Sequence, residues 1–245
     1  MKRHYAIPIL CVLLLLSVGT AGCTVSTNPL NLQFSSSQSP LGINANETTT
    51  GVAHMLAVAT NGQNQYIGAI SEIKVYTQPG SGHVFTETTP LTGVDFQETA
   101  KDAVKVATNQ AKLNANQRDF EFVVTMSGGV EEVDGGSAGL PMAIAAYSAL
   151  TNKSTNASVY ATGAIDGNGA ISSVGGVYLK AEAAAKAGAR LIIVPSGETM
   201  VSTDNPLASN AVKNVNLQEQ LRKEGYNVTV VSVKTFKEAL PYYFT

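Results

Sequence analysis

From Gly51 onward the apolar positions follow two alternating rhythms. Short runs rich in Val, Ile, Tyr and Thr, several alternating with a period of two and 191–194 apolar throughout, predict strands over 52–60, 66–76, 120–126, 159–164, 191–194 and 228–233. Apolar positions recurring every three to four residues predict helices that begin near Asp95, Ala138, Val177 and Leu217. The early strands read as hairpins and the later ones alternate with helices, so the pattern predicts an α+β domain rather than a doubly wound parallel sheet. There is no internal repeat and no G-x-x-x-x-G-K-[ST] segment, so no nucleotide-binding module is expected.

The first 49 residues are patterned differently. Lys2-Arg3-His4 precede an apolar run over 6–18 and then the small residues Gly19-Thr20-Ala21-Gly22-Cys23. A cationic start, an apolar run shorter than the roughly 20 residues that span a bilayer, and small residues behind it read as an export signal. Thr20-Ala21-Gly22-Cys23 resembles a lipobox, which makes Cys23 a candidate for lipid attachment; the alternative is an uncleaved N-terminal anchor. Residues 24–49 are rich in Ser, Thr, Asn and Gln with one charge, Glu47, a composition too poor in apolar side chains to order itself, and predict a flexible tether. The expected organisation is signal or anchor over 1–23, tether over 24–49, and one domain over 50–245 held at the outer face of the cell membrane. Sequons at Asn46, Asn152, Asn156 and Asn227 are compatible with that location.

Charge and composition narrow the chemistry. The 245 residues carry 16 Lys plus Arg against 18 Asp plus Glu, without the clustered cations that phosphate backbones require, so nucleic acid is not an expected partner. Both cysteines, Cys11 and Cys23, precede the domain, which leaves it no thiol for catalysis or metal binding. The three histidines are His4, His54 and His83. No metal or other cofactor is expected.

The densest chemical signal is Asp134-Gly135-Gly136-Ser137-Ala138-Gly139, ahead of the apolar segment 140–150. Gly135 to Gly139 fits G-x-S-x-G, but an α/β-hydrolase needs its histidine after the serine, and none follows Ser137. Two readings of Ser137 stay open. It is a helix N-cap, accepting a first-turn N–H, or it is a nucleophile whose oxyanion would sit near the positive end of a helix. The second reading requires a base, which must be Lys, Asp, Glu or Tyr.

Lys180 has the setting such a base needs. In the helix over 177–188, which follows Gly175-Gly176, the step of about 100° per residue puts Glu182 and Lys186 on one face and Lys180 about 160° from Glu182, beside Val177, Ala183, Ala184 and Ala187. Desolvation there would lower its pKa towards values suited to general base catalysis. The competing reading is a lysine that snorkels from a helix start.

Taken together, these segments resemble the proteolytic domain of the Lon protease family. The family's D-G-P-S-A-G box matches residues 134–139. Its T-G-E-[IV] strand and G-x-[VI]-x-x-[VI]-G-G-[LV]-x-x-K segment match Thr162-Gly163-Ala164-Ile165 and residues 169–180. Residues 184–195 (AAKAGARLIIVP) and the opening stretch 51–74 also match, so the resemblance spans the whole body. It implies a Ser–Lys dyad with Ser137 as nucleophile and Lys180 as base. It further implies that the Thr162 hydroxyl supports the lysine, and that Asp134, Gly135, Gly136 and Ala138 shape the active-site loop. Gly136 stands where the family has Pro and Ala164 where it has Glu, and the chain has no counterpart of the family's AAA+ motor.

The implied function is an ATP-independent, membrane-tethered serine endopeptidase acting on peptides or unfolded proteins. The alternatives are an inactive Lon-like surface module for binding or assembly, and a self-processing enzyme whose substrate is its own tether. The family's ring assembly makes a homo-oligomer compatible with the sequence.

Overall fold

The structure, a computed structural model, describes residues 47–61, 63, 65–89, 91–126, 132–133, 135–204, 207 and 215–244, with the backbone alone at 132–133. All of these belong to one compact unit. The predicted signal or anchor, Cys23, the tether up to residue 46 and Asp134 lie outside the described residues. Among the described residues, no helix is long and apolar enough to cross a membrane.

Seven strands form the central sheet: β1 (Thr49–Thr60), β2 (Tyr66–Pro79), β3 (Val84–Thr89), β4 (Arg118–Thr125), β5 (Val159–Ala161), β6 (Leu191–Pro195) and β7 (Thr229–Val233), in the order β7-β6-β5-β1-β2-β4-β3. β1 and β2 form the expected hairpin, in register from Thr49↔Thr77 to Thr60↔Tyr66, and β4 adds antiparallel to β2. The half from β1 to β7 is parallel, because each of its strands is reached through a connection that crosses the sheet. β6 is buried on both faces, as its unbroken apolar run LIIVP requires.

Period-two alternation sends successive side chains to opposite cores. Met55, Val159, Ala161 and Ile193 point into one, with α1 (Val94–Ala111), α2 (Gly139–Thr151) and α5 (Phe236–Tyr243). Leu56, Tyr160, Ile192 and Val194 point into the other, with α3 (Val177–Lys186) and α4 (Leu217–Lys223). α2 is apolar all round and lies between α1 and the sheet. It sits so close to β1 that a Cβ on Gly51 would fall 2.0 Å from the Ala145 carbonyl oxygen.

Three local expectations need correction. β3 escapes the reading because it is a short edge strand with half its residues exposed. α5 escapes it because Pro241 interrupts the helical pattern, although the Thr235-x-x-Glu238 cap, with Thr235 Oγ1 accepting the Glu238 N–H at 3.3 Å, marks its start. The strand predicted over 159–164 ends at Ala161; Ala164–Ile165 turn away to pair with Ile171–Ser172.

Candidate active site

The backbone around Ser137 is a tight turn fitted between elements. Gly135 has φ 92°, a left-handed conformation that glycine adopts without steric cost, and Gly136–Ala138 form a single 3-10 turn leading into α2. The Ser137 carbonyl accepts the Gly163 N–H at 3.0 Å and the Thr162 hydroxyl at 3.3 Å, while the Leu140 N–H donates to the Gly163 carbonyl at 3.0 Å. These bonds stitch the turn to the segment that leaves β5. Gly139 permits the close approach, since a Cβ there would meet Ile165 Cγ2 and the Ile165 nitrogen at 2.7 Å.

The capping role considered for Ser137 is not the one it plays. Neither the 3-10 turn nor α2 has a side-chain cap, and among the described residues the half-buried Ser137 makes no hydrogen bond through Oγ. Its hydroxyl is left beside the start of α2, whose Leu140 N–H is already taken by the Gly163 carbonyl. Gly136 stands where a side chain would fit, its virtual Cβ meeting Thr99 Oγ1 at 3.4 Å and Ala164 Cβ at 3.6 Å. Ala138 is buried beneath the turn.

α3 presents Lys180 inward. Lys180 is 3% exposed, with Val177, Ala181, Ala184 and Ala185 also buried, whereas Glu182 and Lys186 form the expected i,i+4 pair at 2.6 Å on the outer side. Ala187, expected on the packed face, is exposed, because the helix ends at Lys186. Burial among apolar groups lowers the Lys180 pKa from 10.5 to about 8. The helix is seated by two glycines. A Cβ on Gly68 would fall 2.0 Å from the Leu179 carbonyl oxygen, and one on Gly176, the left-handed residue before the helix, 2.4 Å from Val58 Cγ2.

These seats bring the two halves of the site to one end of the sheet. Met55 of β1 is level with Ala161 of β5, so Thr162 and Gly163, which hold Ser137, continue past that point alongside Leu56. The Ser137 turn and α3 both pack on β1, and Gly176 rests on Val58 three positions beyond Met55. No hydrogen bond joins Ser137 Oγ to Lys180 Nζ among the described residues. Thr162 is fully buried, its N–H bonded to the Ile193 carbonyl at 3.1 Å and its hydroxyl to Ser137 rather than to Lys180.

The two histidines among the described residues are engaged elsewhere. His54 stacks on Tyr160 with ring centroids 4.3 Å apart, and His83 lies in a turn with Ser81 Oγ at 2.9 Å and Asp119 at 3.5 Å. Sequence reasoning missed the Gly163 N–H and the Gly139–Ile165 contact. Both glycines stand in the motifs, but nothing in one dimension says that the two motifs meet.

The family description "Lon protease (S16) C-terminal proteolytic domain" matches residues 33–222. The chain is 30% identical over 199 residues to the Lon protease of Roseiflexus castenholzii, covering 80% of this chain and 22% of that protein. It is 32% identical over 156 residues to the archaeal Lon protease of Thermoplasma acidophilum, covering 60% and 23%, and 29% identical over 142 residues to Lon protease 2 of Bacillus subtilis, covering 58% and 22%. The chain thus spans less than a quarter of the length of these relatives. The match over most of its own length, on a fold that brings the serine box and the lysine helix to one end of the sheet, makes the chain a member of the Lon protease (S16) family through its proteolytic domain.

Proposed function

We propose that this domain is a serine endopeptidase that cleaves peptides or unfolded proteins with Ser137 as nucleophile and Lys180 as base, without ATP, on a chain exported and tethered to the outer face of the membrane. The observation that carries the reading is the buried Lys180, with its pKa lowered to about 8, at the same end of the sheet as the Ser137 hydroxyl, which makes no hydrogen bond among the described residues. A neutral Lys180 takes the Ser137 proton as Oγ attacks the peptide carbonyl, and N–H groups of the turn around Ser137 stabilise the developing oxyanion. The ammonium then protonates the leaving amine, and water attacks the ester, returning its proton through Lys180 as Ser137 is released.

The N-terminal part of the reading rests on the apolar run 6–18 and Cys23, and ATP-independence on the lack of a Walker segment in this chain. A homo-oligomer fits the same reading. One observation favours the inactive binding or assembly module, namely that no hydrogen bond joins the two catalytic candidates. Cleavage of unfolded casein by wild type, Ser137→Ala and Lys180→Ala decides between them. The dyad requires both variants, folded, to be inactive. Activity that persists in either one refutes it, and inactivity of all three with no labelling of Ser137 by a serine-reactive probe supports the module.

A further inference from the structure

α3 is held on its inner side by contact of Leu179 with Gly68, and a second attachment lies on its outer side. The Tyr178 hydroxyl donates to Glu224 Oε1 at 2.5 Å, and the same oxygen accepts Gln220 Nε2 at 2.7 Å. Gln220 belongs to α4 and Glu224 is its C-cap, so the acceptor is oriented by its own helix before Tyr178 reaches it. The Tyr178 ring packs against the core shared by α3 and α4, where Val177, Ala181, Leu217 and Leu221 are buried.

The attachment matters because α3 begins weakly. Gly176 offers no side-chain cap, and no acidic residue stands in the first turn. Lys180 lies about 200° around the helix from Tyr178, two steps of about 100°. A small rotation that lifts Tyr178 away from α4 therefore changes the depth of Lys180 on the opposite side.

We propose that Tyr178 and Glu224 are positioning residues that set the rotation of α3 and keep Lys180 in its dry site. The inference rests on the reading of Lys180 as the base. Among the described residues, the charged and titratable side chains on the elements packed against α3 are these. On α3, Glu182 and Lys186 pair with each other, and on α4 Glu219, Arg222, Lys223 and Glu224 are exposed. On the sheet face that α3 packs against stand His54 on β1, stacked on Tyr160, and Tyr66, Glu72, Lys74 and Tyr76 on β2, with Glu72 and Lys74 3.9 Å apart. The lowering of Lys180 comes from burial.

The test is the titration of the Lys180 side chain, observed by NMR in 13C-lysine-labelled full chain and assigned with Lys180→Arg, in wild type, Tyr178→Phe, Glu224→Leu, their double variant and Glu224→Gln. The expected result is a rise of about half to one pKa unit in Tyr178→Phe, the same rise in Glu224→Leu, and no further rise in the double variant. That shift lowers kcat/KM at pH 7.5 by about threefold to tenfold with recovery at higher pH, as one pKa unit is tenfold in the neutral fraction. Glu224→Gln keeps an acceptor oxygen and should titrate nearer to wild type than Glu224→Leu. An unchanged titration in folded Tyr178→Phe, or rises that add in the double variant, overturns the proposal. The titration needs no turnover, so it decides the role of the pair even if Ser137→Ala and Lys180→Ala remain active and the dyad itself fails.

Discussion

The Thr162 hydroxyl donates to the carbonyl oxygen of Ser137 at 3.3 Å, so a buried strand-end side chain grips the backbone of the candidate nucleophile. The Gly163 N–H shares that acceptor at 3.0 Å, and together they fix the turn that carries Oγ. Thr162→Val removes the hydroxyl without changing the shape. It should cost about 1 kcal/mol of stability and lower kcat with KM held, and Thr162→Ser should restore much of the loss. Urea unfolding and peptide kinetics on the three proteins check this. Unaltered kcat in Thr162→Val would make the residue purely structural.

The low pKa of Lys180 fixes the direction of the pH dependence. The neutral amine is the base, so kcat/KM should rise with pH through an apparent value of about 8 and then level off. Well below that value each pH unit should cost about tenfold. A profile between pH 6 and 10 measures it, and a flat one would remove Lys180 from the role.

The same shift has a stability consequence of the opposite kind to a salt bridge. Lys180 titrates at about 8 in the folded chain and at 10.5 when unperturbed, so between those values the unfolded state binds more protons and stability rises with pH. The cost is fully present below pH 8. Lys180→Met should therefore be inactive yet more stable at pH 7, by up to about 3 kcal/mol at roughly 1.4 kcal/mol per pKa unit. The gain should shrink from pH 8 to 10.5. Thermal melts of both proteins across that range would show it, and a less stable Lys180→Met at pH 7 would contradict a desolvated ammonium.

Two glycines of the serine box should respond oppositely to alanine. At Gly139 the new Cβ would meet the Ile165 nitrogen and Cγ2 at 2.7 Å, so Gly139→Ala should destabilise by about 1 to 3 kcal/mol and displace the turn that holds Ser137. At Gly136 the backbone is not left-handed and the nearest atoms lie at 3.4 and 3.6 Å, so Gly136→Ala should leave activity in place and stabilise by about 0.4 to 1 kcal/mol through the unfolded state. Denaturation midpoints and casein cleavage for the pair test both. Equal behaviour of the two variants would mean that the turn is not seated as described.

Much of the fold was legible because local periodicity reports burial on a sheet or helix face. The β1–β2 hairpin, the start of α1 near Asp95 and the Glu182–Lys186 side of α3 follow that logic. β3 and α5 were not legible, since an edge strand needs only one apolar face and Pro241 breaks the helical rhythm that the packing of Phe236, Ala239 and Tyr243 sustains. The parallel pairing of β5, β6 and β7 depends on crossovers whose course no local pattern records.

By itself the sequence determined the chemical inventory: no histidine after His83, no cysteine after Cys23, a glycine-bounded Ser137, and a helix whose charged pair leaves Lys180 on the other face. Those follow from residue identity and a period of about 3.6. Only the tertiary structure decided that Ser137 hangs from Thr162 and Gly163 rather than capping α2, that Gly139 admits Ile165, and that Tyr178 reaches Glu224 across 46 positions of chain. Such contacts arise when separate elements bury their apolar faces on one sheet, and the depth of Lys180, on which its basicity depends, is a property of that packing.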